Sequence, residues 1–238
     1  MIPGQLPMLR DRRPEVMDQP GLDPADHDRA LRGLRRINAV SGCVPGLFCH
    51  LESLALENPA TPLSVLELAC GGADTAIKLA ALAQQRQLKM TIHACDLNPE
   101  AVRIARRNVA RQNSSVDLFV ADALDPPEVR MFDVVYCTLF VHHLDPPEVV
   151  KLLTVMAAKA RRLVLVDDLI RSRLGYALAW AGTRLLSRSW VVHHDGPLSV
   201  KAAFTPSEIL DLAAEAGLHN PVLERNFPER YRLSWRPG

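Results

Sequence analysis

The chain has 238 residues, 48% of them hydrophobic and 23% charged. That length permits one large α/β domain or two small ones, with a core that needs neither disulfides nor a structural metal. Its 28 basic and 27 acidic residues leave a net charge of +1, so no long-range field attracts nucleic acid and none is expected as a partner.

The cysteines at 43, 49, 70, 95 and 137 form no CxxC pair, which points to reduced thiols in a cytoplasmic protein. Cys43, Cys49 and His50 supply at most half of a metal site, so no metal is expected. The start, MIPGQLPMLRDRRPEVMDQPG, lacks the apolar core of a signal peptide. The longest apolar stretch, Leu174 to Leu186, is broken by Arg184 and falls short of the ~20 residues that span a bilayer.

In chain order, Asp23 caps a first helix with Pro24 at its first position and Leu31, Leu34, Ile37 and Val40 on one face. Gly46–Glu57 forms a second helix, closed by Pro59 and Pro62. Apolar, β-branched runs then predict strands at Ser64–Ala69, Met90–Cys95, Val116–Val120, Phe132–Thr138 and Arg162–Val166. Helices are predicted between most of them, at Asp74–Gln85, Pro99–Gln112 and Pro146–Ala160. This alternation argues for a parallel sheet with helices on both faces. An extra apolar helix follows at about Leu169–Leu186, then an irregular stretch through Ser199. Thr205-Pro206-Ser207-Glu208 opens a last helix with a capping box, and Val222–Phe227 with Tyr231–Trp235 reads as a hairpin.

Three strand ends carry chemistry. The first runs into Ala69-Cys70-Gly71-Gly72-Ala73, small residues that let backbone approach a ligand at a helix N-terminus. Any tight strand-to-helix turn also uses glycine. The second ends at Asp96, whose carboxylate can accept both hydroxyls of a ribose. Capping the next helix is the alternative, but Asn98 before Pro99 already serves there. At the third, Asp122 can accept from an adenine amino group while the Ala123 amide reaches a ring nitrogen; otherwise Asp122 is a loop aspartate facing water.

Glu67 to Ala73, Asp96 and Asp122 resemble the first three motifs of class I S-adenosylmethionine-dependent methyltransferases. Phe132-Asp133-Val134-Val135-Tyr136-Cys137, leading to Phe140-Val141-His142-His143-Leu144, resembles the fourth. The resemblance covers about Ser64 to Val166. His142-His143-Leu144 and Ser199–Phe204 are similar to the small-molecule branch that includes ubiquinone and menaquinone biosynthesis methyltransferases. It implies a Rossmann-like, seven-stranded, mostly parallel sheet of order 3-2-1-4-5-7-6 with the last strand antiparallel. It also implies S-adenosylmethionine as cofactor, with Glu67 orienting its amino-acid end. Ala69, Cys70, Gly71 and Leu97 complete the implied site with Asp96, Asp122, Ala123 and Thr138. The family's usual three glycines are here Ala69, Gly71 and Ala73. That pattern also fails the GxGxxG of nicotinamide enzymes, which argues against an oxidoreductase. Asp125-Pro126-Pro127-Glu128 and Asp145-Pro146-Pro147-Glu148 lack the aromatic residue of the N-methyltransferase motif and read as helix starts.

The implied activity is methyl transfer to a small molecule: O-methylation of a phenol, quinol or polyketide-like acceptor, with C-methylation of a quinone precursor or a non-catalytic binding module as alternatives. An oxygen acceptor needs a base, and histidine titrates in the right range. The candidates are His142, His143, His193 and His194, with Asp168 a further one unless it and Asp167 cap the next helix. The expected organisation is an N-terminal helical cap over 1–60 and a methyltransferase domain over 61–238, with a lid insertion at about 169–200 carrying Tyr176 and Trp180. Arg171, Arg173, Arg184 and Arg188 around that lid permit peripheral contact with a membrane. A monomer or homodimer is expected.

Overall fold

The computed structural model describes residues 8–19, 21–40, 42–126 and 130–237. Pro127 and Glu128 lie outside these residues, as do the side chains of Pro24 and Val40.

The five predicted strands form as β1 (Leu63–Leu68), β2 (Met90–Asp96), β3 (Asp117–Val120), β4 (Phe132–Thr138) and β5 (Ala160–Leu169). They pair in parallel, and the crossovers β1–β2, β2–β3 and β4–β5 run through α3 (Asp74–Gln85), α4 (Pro99–Arg111) and α5 (Pro146–Lys159). A closing hairpin, β6 (Val222–Asn226) and β7 (Arg230–Trp235), completes a seven-stranded sheet of order β3-β2-β1-β4-β5-β7-β6. β7 runs antiparallel to both its neighbours. Order and directions are those the family resemblance implies.

Local chemistry sets the helix starts. Asn98 Oδ1 accepts from the Glu100 amide at 2.9 Å, ahead of Pro99 at the first helical position. Glu148 reaches back to the Asp145 amide at 2.7 Å. Glu208 reaches back to Thr205 at 2.8 Å and opens α8 (Pro206–Glu215). Asp23 Oδ1 accepts from the Ala25 amide at 2.9 Å as α1 (Pro24–Val40) begins. The second helix, α2 (Cys43–Glu57), starts three residues before the predicted Gly46, because Pro45 falls in the first turn, where amides have no helical partner.

Alternation along the strands gives the sheet two apolar faces. Val65, Ala94 and Val134 pack with α2, α3 and α4, and Leu66, Leu68 and Val135 with α5 and α8. Leu47, Leu51 and Leu54 of α2 are buried in the first of these cores.

Two expectations after β4 are corrected. β5 continues through Asp167, Asp168 and Leu169 because β7 pairs with it to the end, Leu169 facing Arg230. These aspartates therefore belong to a strand and do not cap the next helix; Ser172 caps α6 (Arg173–Leu186) by accepting from the Gly175 amide at 2.8 Å. The stretch predicted as irregular is a helix, α7 (Trp190–Ala202), despite Gly196 and Pro197. Burial of Val191, Val192 and Val200 outweighs the one hydrogen bond that Pro197 forgoes.

Asp167 anchors the sheet's far half. Buried between Arg230 and Arg232, it accepts from Arg230 Nε at 2.7 Å and Arg232 Nη2 at 2.8 Å. Gly46 of α2 leaves room for this: a Cβ there would fall 2.2 Å from Arg232 Nη2.

Candidate active site

All the chemistry named from the sequence except His193 and His194 lies at the carboxyl ends of the parallel strands, or in the turns that leave them. Leaving β1, the chain turns through Ala69, Gly71 and Ala73, with φ of 54°, 51° and 58°. All three positions need the left-handed conformation, the physical reason a glycine pattern is usual there. Each alanine is held there against about 1 kcal/mol of strain. No atom lies within 4 Å of where a Gly71 Cβ would sit, so the turn's outer side is open to a ligand. Asn108 Nδ2 on α4 donates to Gly72 O at 3.0 Å and clamps the turn, a contact that no feature of the sequence announced.

Asp96 is half-buried at the tip of β2. One carboxylate oxygen accepts from the Gly71 amide at 2.8 Å and the other from the Asn98 amide at 2.9 Å, so its orientation is fixed and each oxygen keeps a lone pair for another donor. Leu97 beside it is largely exposed. Asp122 Oδ1 takes the Leu124 amide at 2.8 Å, and Ala123 is buried. Thr138 ends β4, half-buried.

Glu67, buried in β1, accepts from the Ala76 amide of α3 at 3.2 Å. Burial pushes its carboxyl up to about 8, against the opposing pull of the Tyr136 hydroxyl and the Ala76 amide.

After β4 a short 3₁₀ turn, Val141–His143, carries the histidine pair. His142 is buried, and its Nδ1 lies 2.7 Å from Asp168 Oδ1 while its backbone amide donates to Asp168 Oδ2 at 3.2 Å. Burial would lower the His142 pKa, but Asp168 and Glu15 reverse this and raise it. Burial alone would raise Asp168; His142 outweighs it and holds the carboxyl below its usual range. An ionised Asp168 accepts a hydrogen bond from Nδ1–H, which keeps that proton on Nδ1 and leaves Nε2 as the nitrogen that can receive one. His143 is the opposite case: burial, then the charge on His142, push it down to about 3, so its ring stays neutral.

Residues 8–17, an arginine-rich tract without apolar periodicity, form a strap over this pair. Arg10 donates to Ala202 O at 2.6 Å and Leu144 O at 2.7 Å, and Arg12 grips Asp145 at 2.7 and 2.9 Å. Asp195 of α7 accepts from the Val16 and Met17 amides, each at 3.0 Å. Glu15, held by Ser199 Oγ, brings a carboxylate oxygen to 3.8 Å from His142 Nε2. Glu15, His142 and His143 offer ligand atoms within 4.8 Å of one another, and Asp168 and Ser199 already satisfy part of this set.

His193 and His194 are engaged elsewhere. His193 Nε2 lies 2.9 Å from Ser187 O, between α6 and α7; His194 is exposed and turned to Asp195 at 2.9 Å.

A methyltransferase-domain family profile matches residues 65–162. Over 171 residues the chain is 29% identical to a ubiquinone biosynthesis O-methyltransferase of Thiobacillus denitrificans, covering 69% of this chain and 68% of that one. Residues 65–162 thus carry a methyltransferase domain, and with the sheet order these matches support a class I S-adenosylmethionine-dependent methyltransferase. The methyltransferase is also 26% identical over 184 residues to a tRNA N(3)-methylcytidine methyltransferase of Drosophila melanogaster, with 74% of this chain matched to 55% of that one. Its fold is that of a magnesium protoporphyrin IX methyltransferase of Synechocystis PCC 6803 with S-adenosylhomocysteine bound, at a TM-score of 0.57, 15% identity and coverage of 93% and 91%. No single helix of the methyltransferase, among the described residues, is long and apolar enough to cross a membrane.

Proposed function

We propose that the enzyme methylates an oxygen of a phenol, quinol or polyketide-like small molecule. The observation that carries this reading is the buried His142–Asp168 pair, which leaves one imidazole nitrogen free to take a proton beside the carboxyl ends of β4 and β5.

The strand tips fit the donor. Asp96, with a lone pair left on each oxygen, would hold the ribose hydroxyls, exposed Leu97 would cover the adenine, and Asp122 and Ala123 would hold its edge. The open left-handed turn Ala69–Ala73 admits the sulfur-bearing chain, with Cys70 and Thr138 at its borders and Glu67 toward its amino-acid end. Bound there, S-adenosylmethionine supplies an electrophilic methyl group on a sulfonium. The protein aligns the acceptor and removes its proton. An acceptor hydroxyl takes the place beside His142 Nε2 that the Glu15 carboxylate takes in the strapped form. Asp168 holds the ring in the tautomer that receives the proton and stabilises the imidazolium formed.

Isotopically labelled donor and a panel of phenols and quinols, with the product methyl located by NMR, test this. Methyl ethers are expected; a methyl on ring carbon overturns the oxygen acceptor and leaves the donor site standing.

Glu67 makes donor binding depend on pH. Its carboxyl holds a proton below about 8 in the free enzyme, and a cationic amino group beside it favours the carboxylate, so binding expels that proton. Affinity for S-adenosylhomocysteine is expected to rise with pH, by up to about tenfold per unit, and to level off above about 8. Calorimetry in buffers of different ionisation heat reads the released proton directly. Glu67→Gln should abolish the slope; a flat profile in the wild type removes Glu67 from the donor's amino group.

A further inference from the structure

We propose that α6 is a membrane-contact helix that lies on an anionic lipid surface. Its outer face carries Leu174, Leu178 and Leu185, and two of these are 58% and 84% exposed, on a helix that is otherwise well packed against α7. The spacing of four and seven residues puts all three on one stripe. Exposed Trp180 lies farther round the helix, beyond the arginine side of the stripe, with the Arg184 guanidinium 4.2 Å from its ring centroid, an amphipathic pair suited to the headgroup region. The tip of the β6–β7 hairpin, with Phe227 71% exposed, lies near the start of α6, where Ser172 Oγ donates to Glu229 at 2.7 Å.

Charge selects the partner. No aspartate or glutamate occurs between Asp168 and Asp195, while Arg173, Arg184 and Arg188 are exposed along α6 and just beyond it. Two acids that touch this region are engaged: Glu229 with Ser172, and Asp26 with Trp190 Nε1 at 3.1 Å. A second copy of this face is a poor occupant. A two-fold axis through α6 would set its arginines against those of the other copy, with no acid in the helix to pair them. Nucleic acid would leave the leucine stripe against phosphates. An anionic bilayer satisfies both halves, burying the leucines while the arginines reach the headgroups. The 14 residues of α6 make about 21 Å of helix, too short to span, so it lies in the surface. Because α6 starts four residues after β5 ends, this orientation brings the carboxyl edge of the sheet close to the lipid.

The inference stands whether or not the acceptor is a phenol. Co-sedimentation of the full chain with phosphatidylcholine vesicles, with and without phosphatidylglycerol, tests it. Binding is expected only with phosphatidylglycerol. Arg173→Gln and Arg188→Gln should each weaken it about fivefold, and Leu178→Glu with Leu185→Glu should abolish it. Unchanged binding of S-adenosylhomocysteine reports that the variants remain folded. Failure of the wild type to bind, or binding that these variants leave untouched, overturns the proposal. So does a dimer in solution that Leu185→Glu dissociates while vesicles are ignored, which would assign the face to a second copy.

Discussion

Replacing His142 by alanine is expected to lower kcat by about two to four orders of magnitude, the usual contribution of a positioned base. Binding of S-adenosylhomocysteine should stay within about twofold, because no donor-site residue touches the ring. The pH profile sharpens the test. A base acts in its deprotonated form, so kcat/KM rises with pH through the His142 pKa, which Asp168 and Glu15 raise above the ordinary histidine value. Asp168→Asn removes the larger of those two charges. The rise should then move to lower pH while the plateau falls, since the ring loses both its partner and its enforced tautomer. Glu15→Gln should also move the rise down but leave the plateau, separating a neighbouring charge from a working group. His143→Gln is expected to leave the limb in place, because its ring is neutral beside His142. A His142→Ala enzyme with wild-type kcat would show that the acceptor loses its proton elsewhere.

The second large effect is on stability. Asp167→Asn keeps the shape of the side chain but leaves Arg230 and Arg232 facing each other, both nearly inaccessible to water. Breaking a buried pair in this way costs about 3–5 kcal/mol, a large part of the stability of an ordinary domain. Glu224, 3.9 Å from Arg232 and half-exposed, is too solvated to replace the lost charge. Equilibrium urea unfolding reads the loss as a lowered midpoint at unchanged slope. Replacing all three residues by apolar ones of similar size should recover most of it, as the desolvation penalty disappears with the charges. A midpoint within error of the wild type would mean that water or another group compensates the arginines.

Where the sequence was legible, local chemistry and tertiary structure agreed. The five β-branched runs sit in a sheet buried on both faces, and the caps at Asn98, Asp145 and Thr205 act over three or four residues, so short-range patterns sufficed. Asp96 was recognisable because Asn98 had taken the capping role. The histidines were harder. His142-His143 and His193-His194 are alike as sequence. Only the register of β4 on β5, Thr138 facing Asp167, brings Asp168 to His142 across 26 positions and leaves the other pair to α7. Helix α7 itself was hidden by Gly196 and Pro197, whose local preference yields to the packing of Val191, Val192 and Val200. Glu15 gave no signal, because a strap is defined by what it crosses: its amides and arginines find partners 131 to 192 residues away.

Titrating the enzyme and its Asp96→Ala variant calorimetrically with S-adenosylhomocysteine bears most directly on the whole account. Micromolar binding is expected for the wild type. The variant should bind about ten to a hundred times more weakly, the worth of hydrogen bonds to a charged group. No heat at millimolar ligand, or equal affinity in the two proteins, would contradict a donor site built on the tip of the second strand.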